Sequence, residues 1–119
     1  MTTYFLGEEL LNKNNLTVII LAAGKGTRMR SNLPKVLHTI NNKPMLQTVI
    51  DTSLTLKPKK ILIVVGYKKE LIIEKIKRNN IITYVNQKEQ KGTGDAIKQC
   101  LKEIKSRENV LILSGDVPL

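Results

Sequence analysis

Leu16-Thr17-Val18-Ile19-Ile20-Leu21-Ala22-Ala23-Gly24-Lys25-Gly26 is a β-branched, apolar run that ends in a glycine-rich loop. A run without polar alternation marks a strand buried on both faces. Residues 60–65 repeat the pattern and are closed by Gly66, residues 81–86 supply a third strand, and residues 110–113 a fourth. Between the strands the apolar spacing turns helical. Met45, Leu46, Val49, Ile50 and Leu54 follow Pro44, which suits the first turn of a helix. Residues 68–78 place Leu71, Ile72 and Ile76 on one side, with Glu74 spaced to pair with Arg78. Residues 95–107 place Ala96, Ile97, Cys100, Leu101 and Ile104 on an inner face. The order β-α-β-α-β-α-β predicts an α/β fold: a Rossmann-like open parallel sheet with helices on both faces. Residues 1–15 read as a polar lead-in with a short amphipathic helix near 7–12, and residues 16–119 as the folded unit.

The 119 residues fit one domain, and 41% apolar content excludes global disorder. One cysteine excludes a disulfide framework, and no Cys/His cluster has zinc-site spacing. The longest apolar run is far too short to span a membrane. Glu8 and Glu9 stand where a signal peptide carries basic residues, so a cytoplasmic, reduced setting is expected. A formal charge of +10 points to an anionic partner or to a Lys-rich composition. Aromatic residues make up only 3%, which leaves few rings to stack on bases, so nucleic acid is not the expected partner.

Ligands of open parallel sheets sit beyond the carboxyl ends of the strands. Three loops fall there. The first, residues 21–30, carries Gly24, Lys25, Gly26, Arg28 and Arg30, with Lys35 shortly after. From Lys13 to Lys43 there are six basic residues and no acidic one. Glycine amides and cations suit an anion. The loop is neither a dinucleotide fingerprint nor a Walker A loop, because Met29 replaces the third glycine and no Gly-Lys-Ser/Thr follows. The bland alternative is a strand-exit turn with solvated lysines. In the second loop, Gln87-Lys88-Glu89-Gln90-Lys91-Gly92-Thr93-Gly94-Asp95, the amide, hydroxyl and glycine groups can read a base edge. The plainer reading, favoured on spacing alone, is a turn with Thr93 or Asp95 capping the next helix. The third, Ser114-Gly115-Asp116-Val117-Pro118, offers a carboxylate for Mg²⁺ and a glycine for close approach, or merely a turn aspartate. His38 and Cys100, the sole His and Cys, read as structural.

Taken together, residues 21–29 and 33–38 resemble the signature of nucleotide-sugar pyrophosphorylases. The first motif also suits cytidylyl- and molybdopterin-nucleotidyltransferases. Residues 87–94 and 115–119 narrow the likeness to the uridylyltransferase domains of bacterial enzymes that make UDP-N-acetylglucosamine. The resemblance implies a nucleotide held by Leu21, Ala22, Ala23, Gly24 and Lys25. It implies uracil recognised by Gln87, Gly92 and Thr93, phosphates neutralised by Arg28 and Lys35, and Mg²⁺ on Asp116. The implied partners are UTP and a sugar-1-phosphate, with no membrane insertion. The family usually has His in place of Asp95 and often an aromatic in place of Ser114. Its domain also continues well past Asp116, so residues 16–119 are expected to be the nucleotide-binding half. Little turnover is then expected of this chain alone, and self-association or a second chain could supply the rest. The rival readings are a non-catalytic nucleotide-binding module and an unspecific polyanion binder.

Overall fold

The computed structural model describes residues 15–24, 32–105 and 107–116. The helix expected near 7–12, Lys25, Arg28 and residues 117–119 lie outside them. The four apolar runs form one parallel sheet. β1 is Leu16–Leu21, β4 Lys60–Val65, β5 Ile82–Asn86 and β6 Asn109–Ser114. Their spatial order is β5-β4-β1-β6, so the apolar β1 and β4 are central and the other two are edges. A short hairpin precedes the first helix: β2 Thr39–Ile40 and β3 Lys43–Pro44. Its turn residues Asn41 and Asn42 have φ of 54° and 65°, the left-handed values that tight hairpins demand and Asn tolerates.

Side chains alternate across each strand, so the sheet has two apolar faces. Val18, Ile20, Ile61, Ile63, Leu111 and Leu113 face α1, Met45–Leu54, and α2, Lys69–Lys75. Ile19, Leu62, Val64 and Val85 face α3, Thr93–Cys100, through Ala96 and Cys100. Helices on both faces explain why the β1 run carries no polar alternation. Each fully buried Ile or Leu contributes about 1.5–3 kcal/mol. Cys100 is one of these core residues, and burial pushes its thiol up to about 11. His38 is structural as well: its Nε2 lies 3.2 Å from the Leu33 carbonyl.

Two helices are shorter than their periodicity predicts. α2 stops at Lys75, and Ile76 turns extended to bury its side chain. The next amide, Lys77 N–H, donates to Gln47 Oε1 of α1 at 2.9 Å instead of continuing the helix. Arg78 therefore leaves the face of Glu74, and the expected pair does not form. α3 gives way at Leu101–Glu103 to a 3-10 turn, and Ile104 is extended. Lys60 Nζ donates to the Glu103 carbonyl and ends the helical ladder there. Leu101, expected inside, is 60% exposed. Pro44 stands just outside α1, at its N-cap, not within the first turn.

The amino-terminal end of the sheet carries an ion cluster that periodicity does not reveal. The Glu108 side chain is only 1% exposed. Its Oε1 lies 2.7 Å from Lys59 Nζ and 3.3 Å from Lys60 Nζ, and Thr17 Oγ1 donates to Oε2 at 2.7 Å. One carboxylate thus ties together β1, the start of β4 and the approach to β6.

Candidate functional site

All four parallel strands end at the same edge. The chain runs outward from β1 to β4 and β5, with α1 and α2 on one face. It then crosses through α3 on the other face to reach β6 beside β1. The strand order therefore reverses between β1 and β6, the place where such sheets open a crevice. A cleft of about 460 Å³ lies there.

Its walls are the three loops singled out in the sequence. Leu21, Ala22, Ala23 and Gly24 form one side, Gln87, Gly92 and Thr93 another, and Asp116 with Lys35 the third. Nine of the eleven candidate residues thus share one cleft. Lys25 and Arg28 lie outside the described residues. The backbone at this edge is tied down. Ala22 N–H donates to the Val64 carbonyl at 2.8 Å, and Gln87 N–H to the Val65 carbonyl at 2.8 Å. The Ala23 carbonyl accepts from Tyr67 N–H at 3.3 Å and from Gln90 Nε2 at 3.1 Å. Gln90 thereby joins the first loop to the second. Its sequence signal is weak, since a polar residue in a polar loop carries no periodicity.

Gly92 has φ of 90° and ψ of 178°, a backbone that side-chain-bearing residues rarely adopt. It starts α3 two residues earlier than the expected Asp95. The expected cap is absent: neither Thr93 nor Asp95 caps the helix with its side chain. Asp95 instead accepts from Gln87 Nε2 at 2.9 Å and from Gln99 Nε2 at 3.3 Å. Gln87 Nε2 also donates to the Gly92 carbonyl at 3.2 Å. Gln87 is 5% exposed, one of the few buried polar residues among those described. Burial of an amide demands partners, and the two bonds from Nε2 supply them for both of its protons.

Gly115 serves packing and not ligand approach. A Cβ there would sit 3.0 Å from the Leu21 carbonyl, 3.2 Å from Leu46 Cδ1 and 3.3 Å from Val36 Cγ1. The absent side chain lets β6 leave the sheet tight against β1, with Gly115 N–H donating to the Leu21 carbonyl at 2.9 Å. That turn delivers Asp116 to the cleft. Lys35 Nζ lies 3.3 Å from Asp116 Oδ2, and Ser114 Oγ donates to Oδ1. The Ser114 hydrogen bond, against the opposing pull of burial and with help from Lys35, holds the Asp116 carboxyl below the usual carboxylate range. Asp116 is therefore ionised at neutral pH, in a setting where its two nearest polar neighbours stabilise the anion.

Each Asp116 oxygen keeps a further lone pair. Among the described residues no group of three or more His, Cys, Asp or Glu comes together. That donor set does not make an all-protein cage. It fits Mg²⁺, which is content with one or two carboxylates, waters and phosphate oxygens. Among the described residues no helix is long and apolar enough to cross a membrane.

Comparison with known proteins agrees with the fold and narrows the family. The bifunctional protein GlmU of Neisseria meningitidis serogroup C is 50% identical over 107 residues, which is 90% of this chain and 23% of that relative. The chain thus spans under a quarter of the length of the curated relatives it matches. HddC from Yersinia pseudotuberculosis, solved complexed with GMP-PN, superposes with a TM-score of 0.73 at 30% identity. The match covers 84% of this chain and 47% of HddC. A UDP-glucose pyrophosphorylase complexed with UDP-glucose gives a TM-score of 0.73 at 25% identity, over 84% of this chain and 45% of that one. The model of the MobA-like NTP transferase domain matches residues 18–119. With that match, and a parallel sheet opening a polar cleft at its switch point, this chain belongs to the MobA-like NTP transferase domain family.

Proposed function

We propose that the chain forms the nucleotide-binding part of a uridylyltransferase that makes UDP-N-acetylglucosamine. The observation that carries this reading is the convergence of Gln87, Thr93, Lys35 and Asp116 on one cleft, in a chain half identical to a bifunctional protein GlmU. In the proposed reaction an oxygen of N-acetylglucosamine-1-phosphate attacks the α-phosphorus of UTP. The bond from that phosphorus to the bridging oxygen breaks, and pyrophosphate leaves with the electron pair. Such a transfer requires positioning and charge neutralisation, with no covalent nucleophile.

The proposed roles are those that the family likeness implies. Leu21, Ala22, Ala23, Gly24 and Lys25 hold the nucleotide, and Gln87, Gly92 and Thr93 meet the base. Lys35 and Arg28 neutralise the triphosphate. Asp116 holds Mg²⁺, which when bound supplies further charge neutralisation at the phosphates. The 3.3 Å separation of Lys35 Nζ from Asp116 Oδ2 supports this reading, since phosphate oxygens could replace the carboxylate as the partner of Lys35.

The formal charge of +10 favours a second reading, unspecific attraction of polyanions. Calorimetry at fixed salt with Mg²⁺ separates the two. UTP is expected to bind about tenfold more tightly than ATP, the scale of one well-placed hydrogen bond. Equal affinities would remove the base recognition assigned to Gln87, Gly92 and Thr93.

A further inference from the structure

Both amide protons of Gln87 are spent inside the protein, one on the Gly92 carbonyl and one on the Asp95 carboxylate. Each of those partners accepts only. A flipped Gln87 amide would set its own oxygen against two other oxygens, so the orientation is dictated by chemistry and not by choice of fit. Gln87 Oε1 accepts no hydrogen bond from the described residues, and Gln87 lines the cleft. The amide oxygen is therefore the part of the side chain left for a ligand. Asp95 is itself anchored by Gln99, one turn along the same helix. The Gly92 carbonyl alone would hold one proton and leave the amide free to swing away.

We propose that Asp95 is a positioning residue that sets the base preference of the cleft by fixing Gln87 with Oε1 as its only free hydrogen-bonding atom. The inference rests on the nucleotide reading of the cleft. A lone acceptor selects a base whose Watson–Crick edge carries a ring N–H, as uracil does at N3. In the same pose it opposes cytosine, whose N3 is a bare acceptor and whose amino donor lies one position further along the edge. The selection is made by Gln87; Asp95 never touches the base.

The test compares UTP with CTP by calorimetry in the wild-type chain and in the Asp95→Ala and Asp95→Asn variants. The wild type is expected to prefer UTP by about tenfold, the value of one acceptor met or opposed. Asp95→Ala is expected to bring that ratio to within about twofold of unity, while binding of inorganic pyrophosphate stays unchanged. Asp95→Asn keeps an oxygen that can accept from Gln87 and is expected to retain most of the preference. A residue that only supported the fold would weaken both nucleotides alike and leave the ratio intact, so an unchanged UTP:CTP ratio in Asp95→Ala overturns the inference and leaves the proposed function standing. Failure of the wild type to prefer UTP overturns the proposed function and the inference with it. The side-chain amide resonances of Gln87 in the nucleotide-free wild type provide a readout that needs no variant to fold. Slow exchange with solvent and proton shifts displaced from those of a free glutamine amide are expected; fast exchange with free-amide shifts would overturn the inference.

Discussion

Replacing Glu108 with alanine is expected to destabilise the chain by about 3 kcal/mol at neutral pH. Burial pushes this carboxyl up, but hydrogen bonds from Lys59, Thr17, the Lys105 backbone and Lys60 outweigh it and hold it down to about 2, against an ordinary 4.5. A depressed carboxylate stabilises the fold above its unfolded value and ceases to do so as pH falls to its folded value. The contribution is therefore complete above about pH 5 and is lost between there and about pH 2. Urea unfolding followed across that range should show wild-type stability falling with acid while the alanine variant stays flatter. Glu108→Gln should behave much as alanine does, because an amide keeps the acceptor for Thr17 but leaves Lys59 and Lys60 without a counter-charge. A loss below about 0.5 kcal/mol, the level of an exposed pair, would show that the cluster is ornamental.

Lys35→Ala is expected to weaken binding of Mg²⁺–UTP by about 1.5–3 kcal/mol, the scale of a charged hydrogen bond. Arg28→Ala is expected to do the same. The side chain of Lys35 is 46% exposed in the free chain, so bulk water screens its pairing with Asp116 and little fold stability depends on it. The effect should therefore appear in affinity and not in unfolding. Lys105→Ala is the proper control, because that side chain is exposed. Lys59→Ala is not a control, since Lys59 holds Glu108 and its loss would unsettle the fold. Asp116→Ala should remove the dependence of UTP affinity on Mg²⁺. Equal losses at Lys35 and Lys105 would mean that charge acts diffusely over the surface.

The sheet was legible because burial on two faces leaves a simple trace. Ile19 and Ile20 point to opposite faces and both are fully buried, where an unpartnered polar group would be costly. The strand bounds differ from the expected ones by no more than one residue. Helix ends were less legible because tertiary partners decide them. Gln47 captures the amide of Lys77, and Lys60 captures the carbonyl of Glu103, across separations that no local pattern records. The three loops were found from strand ends alone, since a parallel sheet brings all of them to one edge. What the loops do to each other was not legible. Asp95 looks like a helix cap in sequence and binds Gln87 in space; Gly115 looks like room for a ligand and is room for Leu46 and Val36. Glu108 looks like one more surface charge until the fold sets Thr17, Lys59 and Lys60 around it.

Amide NMR of the chain during titration with Mg²⁺–UTP locates the nucleotide on the sheet. The largest shifts are expected on Ala23, Gly24, Lys35, Gln87, Gly92, Thr93 and Asp116, at the carboxyl edge of the sheet. The Glu108 cluster at the opposite edge and the exposed Lys75 of α2 should stay still. Shifts spread over the lysine-rich surface, or gathered away from that edge, would mean that the nucleotide does not bind in the cleft.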